Sequence, residues 1–290
     1  MRKIGVAGAG TMGAGIAIVA VRAGFETVLF DLEEKALEGA RSQIAGFLQT
    51  SVRKNKLTEE QAQAALARLQ LSPSMSDLAQ CDLIIEAVFE NLAVKANLFR
   101  ELDGLCPAST VLATNTSTLS VTEIAGGSGR PDRVVGMHFC LPAQLMKLVE
   151  ITPGLITSEE TLAKAGALCE DLGQEAVQTR DSPGFVLNHF LVPFNNDAIR
   201  LVEQGVAEPA EIDRAVKHGL GYPMGPCELL DLIGLDTQIR LCEALYPVTQ
   251  DPRVAAPPLL RRMVAGGQLG RKSGRGFFDY GGHAMFGAER

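Results

Sequence analysis

The sequence predicts an α/β protein: a doubly wound, mostly parallel sheet domain with an inserted helical hairpin, followed by an all-helical domain. Apolar strand patterns alternate with helical patterns as far as residue 182, which is typical of such a sheet. A glycine-rich turn joins the first strand pattern to the first helical pattern. Residues 183–290 contain helical patterns alone, so we expect two domains, 1–182 and 183–290.

The first three elements form a β-α-β unit. Residues 3–8 are an apolar strand pattern that ends in glycine, residues 11–23 have helical spacing, and residues 26–30 are again a strand pattern. A unit of about 30 residues is the size expected for this motif. The turn inside it fits the dinucleotide-binding pattern G-x-G-x-x-G of a Rossmann-like domain, and its residues are Gly8, Ala9, Gly10, Thr11, Met12 and Gly13.

Each position of this turn has a physical reason. Gly8 permits the tight turn, Gly10 lets a pyrophosphate approach the backbone, and Gly13 lets helix and strand pack closely. Thr11 and Met12 open the helix, whose first N–H groups favour phosphate. Asp31 ends the second strand, where a carboxylate accepts hydrogen bonds from both ribose hydroxyls and repels a 2′-phosphate, so NAD is favoured over NADP. The alternative is a turn that binds nothing, with an acid that only caps the next helix.

The rest of the sheet domain follows the same alternation. Apolar residues in 33–52 have helical spacing, and a second helix follows Thr58, where Thr58-x-x-Gln61 fits a capping box. These two helices are the predicted hairpin. Strands 133–139 and 147–152 are joined by a loop too short for a parallel crossover, so we expect them to be antiparallel neighbours. The further strand and helix predictions are strands 82–88, 110–114 and 175–179 and helices 92–105, 121–125, 159–172, 185–206, 208–219, 227–245 and 257–266.

A histidine and a glutamate suggest acid–base chemistry. His138 lies at the end of a predicted strand, on the edge where open α/β sheets bind ligands. Glu150 lies in the next strand among apolar residues, where a carboxylate needs a partner. If the two strands pair, Glu150 reaches one imidazole nitrogen of His138, fixes its tautomer and leaves the other nitrogen for substrate. A purely structural His–Glu pair is the equal alternative.

Two further polar positions are candidates for orienting a substrate. Ser117 belongs to the cluster Asn115-Thr116-Ser117-Thr118 after a predicted strand, and the cluster either orients a hydroxyl or caps the following helix, a role we expect one of its members to take. Asn188 lies on the first helix of the second domain and faces the cleft if that helix begins at Pro183; the alternative is an exposed helix asparagine. The other histidines, predicted to be structural or on the surface, are His189, His218 and His283.

Composition excludes several function classes. The chain has 27 basic and 34 acidic side chains, hence a net charge of −7, and its sequence pI is near 5.3, so no basic face for nucleic acid is expected. No apolar run approaches the ~20 residues that span a bilayer, and we expect neither a signal peptide nor a membrane partner. Six cysteines are scattered without C-x-x-C pairs, which is typical of reduced thiols in a cytoplasmic protein, and no metal site is predicted.

Together these motifs resemble the L-3-hydroxyacyl-CoA dehydrogenase family, in its short single-function type that includes 3-hydroxybutyryl-CoA dehydrogenase. The resemblance runs over essentially the whole chain and keeps the order of the motifs. The matching segments are GAGTMGAGIA, EAVFENLAVKANLF, TNTSTLSV, GMHF, MKLVEI, DSPGFVLN, GYPMGP, ELLDLIGLDT and GRKSGRGFFDY.

The resemblance implies NAD-dependent interconversion of L-3-hydroxyacyl-CoA and 3-oxoacyl-CoA, as in fatty-acid β-oxidation. It makes His138 the catalytic base and Glu150 its partner, with Ser117 and Asn188 supporting the substrate oxygen. It implies that Lys54 lies near the CoA phosphates, in a basic patch with Arg41, Arg53 and Lys56, although a solvated helix face is an equal alternative for each of these side chains. It also implies a homodimer paired through the helical domain. The residues that it places near the nicotinamide half of NAD are Glu90, Lys95, Asn115 and Lys272.

Two positions depart from the family pattern. Leu141 replaces an asparagine that lies beside the active site, and an apolar side chain cannot make that amide's hydrogen bonds. Cys227 replaces an aromatic residue, which we expect to alter only helix packing. The first departure leaves two alternatives open: a related dehydrogenase of a CoA-free hydroxy acid or sugar acid, and a dinucleotide-binding protein without catalysis.

Overall fold

The computed structural model of the protein describes residues 2–281. The chain passes from one compact unit to a second between Phe185 and Val186. His283, predicted to be structural or on the surface, lies outside the described residues. Within residues 2–281, no helix combines the length and the apolar character that a bilayer crossing requires.

The first unit is built on one sheet, whose strand order is β3-β2-β1-β4-β5-β6-β7-β8. Every neighbouring pair is parallel except β6 and β7. This confirms the predicted doubly wound, mostly parallel sheet and its one antiparallel pair. The strands are β1 (Lys3–Ala7), β2 (Glu26–Phe30), β3 (Leu69–Ser72), β4 (Leu83–Glu86), β5 (Val111–Thr114), β6 (Val134–Phe139), β7 (Leu148–Pro153) and β8 (Glu175–Gln178).

Helices cover both faces of this sheet. Four of them, α1, α2, α3 and α6, pack into one apolar cluster, and α4 and α5 pack into another. The burial of two faces explains why the central strands are nearly continuous apolar runs. The helices are α1 (Thr11–Arg22), α2 (Glu34–Arg53), α3 (Glu59–Ala67), α4 (Leu92–Leu105), α5 (Val121–Gly126) and α6 (Glu159–Asp171).

The inserted helical hairpin is confirmed as α2 and α3. The Thr58 side chain accepts a hydrogen bond from Gln61 N, and the Gln61 side chain accepts one from Thr58 N, which is the predicted capping box. The strand that follows, β3, was not predicted. Its four residues are mostly half-buried or exposed, so their apolar pattern is weak.

The prediction that a residue of the 115–118 cluster caps α5 was wrong. Ser120, not a member of the 115–118 cluster, caps α5 by accepting a hydrogen bond from Glu123 N. Asp181 adds a second cap, since its carboxylate accepts from Val121 N and Thr122 N. The cluster is therefore left for another role.

The second unit is helical in its described part. The helices are α7 (Leu187–Glu203), α8 (Pro209–Leu220), α9 (Pro226–Ile233), α10 (Leu235–Thr249) and α11 (Pro258–Ala265). The single helix predicted over 227–245 is wrong, because Gly234, with φ 95° and ψ 130°, separates α9 from α10. The first helix also begins later than predicted, at Leu187, because Gly184 and Phe185 both have positive φ.

Candidate active site

The antiparallel pairing of β6 and β7 brings His138 and Glu150 together. Their Cα atoms are register partners, so both side chains project from the same face of the sheet. Nδ1 of His138 lies 2.8 Å from Oε2 of Glu150. The histidine is 6% exposed and the glutamate 1%. The short distance and the burial fit an Nδ1–H that donates to the carboxylate, which leaves Nε2 as an acceptor.

Ser117 reaches the other side of the same imidazole. Its Oγ lies 3.1 Å from Nε2 of His138. The loop that carries it follows β5, the parallel neighbour of β6, so both residues lie at the carboxyl edge of the sheet. Asn115 ties this loop to β6, because its Oδ1 accepts a hydrogen bond from Phe139 N over 2.9 Å. The Phe185 ring packs 5.8 Å from the imidazole, centroid to centroid.

One carboxylate holds the Ser117 loop from behind. Oε1 of Glu90 accepts hydrogen bonds from Thr116 Oγ1 at 2.5 Å, Ser117 N at 2.8 Å, and both N and Oγ1 of Thr118 at 3.1 Å. Its other oxygen, Oε2, lies 3.1 Å from Nζ of Lys95. Burial opposes the ionisation of Glu90, but Lys95 and the hydrogen bonds from Thr116 and Ser117 outweigh it and lower the pKa of this carboxyl. Glu90 is therefore a carboxylate at neutral pH.

Lys95 is itself buried. It is 1% exposed, on the first turn of α4, and its Nζ lies 2.6 Å from Oε1 of Glu86. Glu86 is fully buried at the end of β4, where it also accepts from Thr114 Oγ1 at 2.7 Å and Val88 N at 2.8 Å. Neither Glu86 nor Thr114 was predicted to be a site residue. Both lie inside apolar strand patterns, and a glutamate followed nine residues later by a lysine was the one available signal.

A thiol also lies close to this site. Cys140 directly follows β6, and burial raises its pKa to about 11. It is therefore protonated at neutral pH and is not a nucleophile there.

The glycine-rich turn fits a dinucleotide. Gly8 has φ 108°, and a Cβ on Gly13 would lie 1.7 Å from Gly8 O, so both glycines are required by the chain's own packing. Gly10 is different: its φ is −70°, and no described atom lies within 4 Å of where its Cβ would be. The absence of a side chain there leaves room beside the first turn of α1, where a phosphate is favoured.

Asp31 borders the same turn. Its Oδ2 accepts a hydrogen bond from Ala9 N at 2.7 Å, and its Oδ1 accepts one from Glu33 N at 3.0 Å. Each carboxylate oxygen has two lone pairs, so these two bonds leave capacity for ribose hydroxyls. The glycines and this acid thus lie together, as the predicted cradle for NAD requires.

The remaining predicted residues lie in several places. Lys54 is exposed at the end of α2 and lies beside Arg53 and Lys56. Arg41 lies three turns earlier on the same helix, about 18 Å from Arg53 along its axis, so it does not join a single basic patch. Lys272 lies in the second unit and forms an ion pair with Asp236.

Three more predictions concern residues of the second unit that the structure describes, namely Asn188, His189 and His218. Asn188 is 6% exposed on the first turn of α7, so it is not an exposed helix residue. His189 and His218 are exposed, as predicted. Among the described residues, no group of three or more His, Cys, Asp and Glu side chains is arranged to hold a metal ion.

Comparison with known proteins identifies the family. Residues 3–182 match the model of the 3-hydroxyacyl-CoA dehydrogenase NAD-binding domain, and residues 184–280 match that of the C-terminal domain of the same family. A probable 3-hydroxybutyryl-CoA dehydrogenase of Bacillus subtilis is 45% identical over 97% of this chain and 98% of its own length. A 3-hydroxybutyryl-CoA dehydrogenase of Mycobacterium tuberculosis is 41% identical over 97% of this chain and 99% of its own length.

A solved structure agrees with these relatives. The crystal structure of the (S)-3-hydroxybutyryl-CoA dehydrogenase PaaH1 from Ralstonia eutropha superposes with a TM-score of 0.90 at 41% identity, covering 97% of this chain and 99% of that one. Together with the two family models, which span nearly the whole chain, these matches are decisive. The chain therefore belongs to the 3-hydroxyacyl-CoA dehydrogenase family and is an NAD-dependent dehydrogenase.

Proposed function

We propose that the protein oxidises short-chain L-3-hydroxyacyl-CoA, such as 3-hydroxybutyryl-CoA, to the 3-oxoacyl-CoA, and that it catalyses the reverse reduction. One observation carries the proposal: His138 lies between Glu150 at 2.8 Å and Ser117 at 3.1 Å, at the carboxyl edge of a sheet with a dinucleotide cradle. The 3-hydroxybutyryl-CoA dehydrogenases that resemble this chain support the choice of substrate.

In this proposal His138 is the general base. Its Nε2 accepts the proton of the substrate's 3-hydroxyl as the carbon–hydrogen bond at C3 breaks. The Glu150 carboxylate holds the proton on Nδ1 and stabilises the imidazolium that forms. General base catalysis of this kind typically contributes about 10²–10⁴-fold to the rate. In the reverse direction the imidazolium returns the proton to the developing alkoxide.

Ser117 orients the reacting oxygen. Its hydroxyl lies within hydrogen-bond distance of Nε2, so a substrate oxygen that bonds to Ser117 is presented to the base. We also propose the supporting role that the family resemblance gives Asn188. Its burial, at 6% exposure, supports this role over that of a surface residue.

Bound NAD would supply the acceptor for the hydride that leaves C3 of the substrate. The residues proposed to hold it are Gly8, Gly10, Thr11, Met12, Gly13 and Asp31 around the turn, with Glu90, Lys95, Asn115 and Lys272 toward the nicotinamide. The open space beside Gly10 supports the first group. The carboxylate of Asp31 supports NAD over NADP, since it repels a 2′-phosphate.

The CoA part of the substrate is anionic, and we propose that Lys54 contacts its phosphates. Lys54 is exposed and lies with two other cations at the tip of the helical hairpin. A cluster of positive charge on a protein of net charge −7 is a local attraction for phosphate. Its replacement by Ala should raise KM for acyl-CoA and leave the KM for NAD unchanged.

We further propose a division of roles along the chain. Residues 1–182 bind NAD, and residues 183–290 form the substrate and dimerisation domain of a cytoplasmic homodimer. Exposed apolar side chains in the helical unit, such as Phe190 at 69% and Val248 at 66%, support a further contact there. Light scattering tests the dimer, because a molar mass equal to one chain would exclude it.

The central experiment is a spectrophotometric NADH assay with 3-hydroxyacyl-CoA substrates of short, medium and long acyl chains, and with free 3-hydroxybutyrate and sugar acids. The expected result is turnover of short acyl-CoA substrates and none of the free acids. Turnover of a free acid alone would replace the CoA assignment by the first alternative. NADH binding by fluorescence without turnover of any substrate would show a protein that has lost catalysis.

A further inference from the structure

A chain of polar contacts links the Ser117 loop to two buried residues that touch neither Ser117 nor His138. Glu86 binds Nζ of Lys95 at 2.6 Å, and Lys95 binds Oε2 of Glu90 at 3.1 Å. Glu90 then accepts the N–H groups of Ser117 and Thr118. We call this set, Glu86, Lys95 and Glu90, the carboxylate clamp.

The clamp differs from ordinary apolar packing because it buries a charged side chain. Lys95 is a lysine with 1% exposure, and a charged side chain is buried to this degree only when it is fully paired. An apolar side chain at position 95 would pack between the helix and the sheet without needing a charged partner. The two carboxylates that meet Lys95 come from β4 and from the loop after it, so the lysine fixes the second relative to the first.

The hydrogen bonds that hold the Ser117 loop depend on the negative charge of Glu90. Two backbone N–H groups and two hydroxyl groups converge on the single oxygen Oε1. An ionised carboxylate accepts such bonds more strongly than a neutral group does. Lys95 keeps Glu90 in that state and holds it against the loop, although the Glu90 side chain is 36% exposed and has room to turn toward solvent.

We propose that Glu86 and Lys95 are positioning residues of the reaction: through Glu90 they hold the Ser117 loop so that Oγ of Ser117 stays at the imidazole of His138. Neither residue touches the reacting atoms in this role. The inference rests on the proposed function and deepens it, because it assigns a task to a buried pair that acid–base catalysis by His138 and Glu150 does not use.

The experiment compares four proteins. Lys95→Met keeps the length of the side chain and removes its charge. Because this leaves Glu86 as an unpaired buried carboxylate, the double variant Glu86→Gln with Lys95→Met removes both charges and protects folding. Glu86→Gln alone keeps an acceptor oxygen for Lys95 and should have the smallest effect on loop exchange and kcat among the three clamp variants. Arg130→Met is the matched control, since Arg130 pairs with Asp103 near the other end of α4.

Two readouts are taken on each protein. Hydrogen–deuterium exchange of the peptide that contains Ser117 and Thr118, measured without cofactor, reports on the loop directly. Turnover of 3-hydroxybutyryl-CoA gives kcat and KM. We expect the double variant to show faster exchange in this peptide and a kcat lower by about 10–100-fold, because small misplacements of a reacting group have effects of this size. Its KM for acyl-CoA should change far less. Arg130→Met should lower the melting temperature and change neither readout.

The outcomes separate the possibilities. A folded double variant with wild-type kcat overturns the proposal, whatever its exchange. A lower kcat with weaker NADH binding and unchanged exchange also overturns it, because Lys95 would then act through cofactor contact alone. If the wild-type protein turns over no acyl-CoA, the proposed function fails, and exchange that stays at the wild-type rate in the double variant would remove the clamp as well.

Discussion

Buried polar groups are handled differently in the two units of the molecule. In the sheet unit two buried pairs of ionisable side chains lie at the carboxyl edge of the strands: Glu86 with Lys95, and His138 with Glu150. In the described part of the helical unit, Asn195, Asn196 and Gln238 are fully buried neutral amides, and the buried carboxylates of Asp213 and Asp231 accept hydrogen bonds from backbone N–H groups.

The amides connect elements of the helical unit without charge. Nε2 of Gln238 donates to Val192 O at 3.1 Å and to Asn196 Oδ1 at 2.9 Å, while its Oε1 accepts from Asn195 Nδ2 at 3.2 Å. Asn196 in turn donates to Val254 O at 3.1 Å. Such a network fixes α7 against α10, but it cannot take up or release a proton near neutral pH. The difference teaches that a buried polar group marks a candidate reactive site here only where an ionisable side chain is paired with a second buried ionisable side chain.

The largest expected effect tests the ionisable region. His138→Gln removes the base but keeps a polar side chain of similar size in the strand. We expect kcat to fall by about 10²–10⁴-fold, with little change in NADH affinity because the dinucleotide cradle is untouched. Initial rates and a fluorescence titration with NADH measure the two quantities. A variant with wild-type kcat would remove His138 from the chemistry.

Glu150→Gln should come second. A side-chain amide opposite Nδ1 of His138 can donate as well as accept, so it no longer fixes the proton on Nδ1, and it has no charge to stabilise the imidazolium. We expect kcat to fall on the order of 10²-fold while KM stays similar. Equal kcat in the variant and the wild type would show that the buried pair is structural only.

The amide network should affect stability and not rate. Gln238→Leu retains the size of the side chain and leaves its hydrogen-bond partners unsatisfied, at a cost of about 1–3 kcal/mol in the free energy of unfolding. Urea unfolding measures this loss, and kcat per folded molecule should be that of the wild type. A loss of kcat without a loss of stability would show that the two regions are not separated as described.

Acidification should distinguish the two regions further. Burial opposes the charge of Glu90, but Lys95 and the loop hydrogen bonds prevail, so its pKa in the folded protein lies below its ordinary value of 4.5. A depressed pKa stabilises the fold above pH 4.5, and this contribution is lost as the pH falls through the folded-state pKa.

The test compares stability curves against pH. The difference in unfolding free energy between wild type and Glu90→Gln should be constant above pH 4.5 and shrink below it. For Gln238→Leu the difference should not follow this pattern, since amides do not titrate. A constant difference for Glu90→Gln at all pH values would mean that the pKa of Glu90 is the same in the folded and the unfolded chain.

The substitution with the smallest expected effect introduces an amide at the carboxyl edge of the sheet. Leu141, 43% exposed just beyond β6, stands where the family pattern has asparagine. Leu141→Asn should change kcat/KM for 3-hydroxybutyryl-CoA by less than about tenfold, the equivalent of one hydrogen bond. A larger gain would show that the native leucine limits this substrate, and an assay of longer acyl chains would show which substrate it favours.

Local patterns and short-range geometry made much of the fold predictable. Strand β2 and the capping box at Thr58 depend on neighbouring residues alone, and the antiparallel pair β6 and β7 follows from the length of one loop. The break at Gly234 was missed, because the apolar spacing continues on both sides of it and only the backbone angle ends the helix.

The contacts of the candidate active site were likewise predictable only in part. The distance between His138 and Glu150 was foreseeable, since hairpin pairing places them opposite each other. The contacts of Glu86 and Glu90 were not, because they depend on which strands become neighbours across crossovers of 20 residues and more. Sequence spacing cannot give such a distance, and the apolar neighbours of a glutamate indicate its burial without indicating which side chain is its partner.

The register of β6 against β7 also affects how this enzyme could be altered. Five consecutive residue pairs fix the two strands, with His138 opposite Glu150 in fourth place, while the connecting loop begins only after Phe139. The separation of imidazole and carboxylate is thus set by ladder hydrogen bonds and is independent of loop length. Exposed residues of the loop, such as Leu141 and Leu145, can therefore be exchanged without moving this pair, whereas a one-residue slip of either strand would turn the acid to the opposite face.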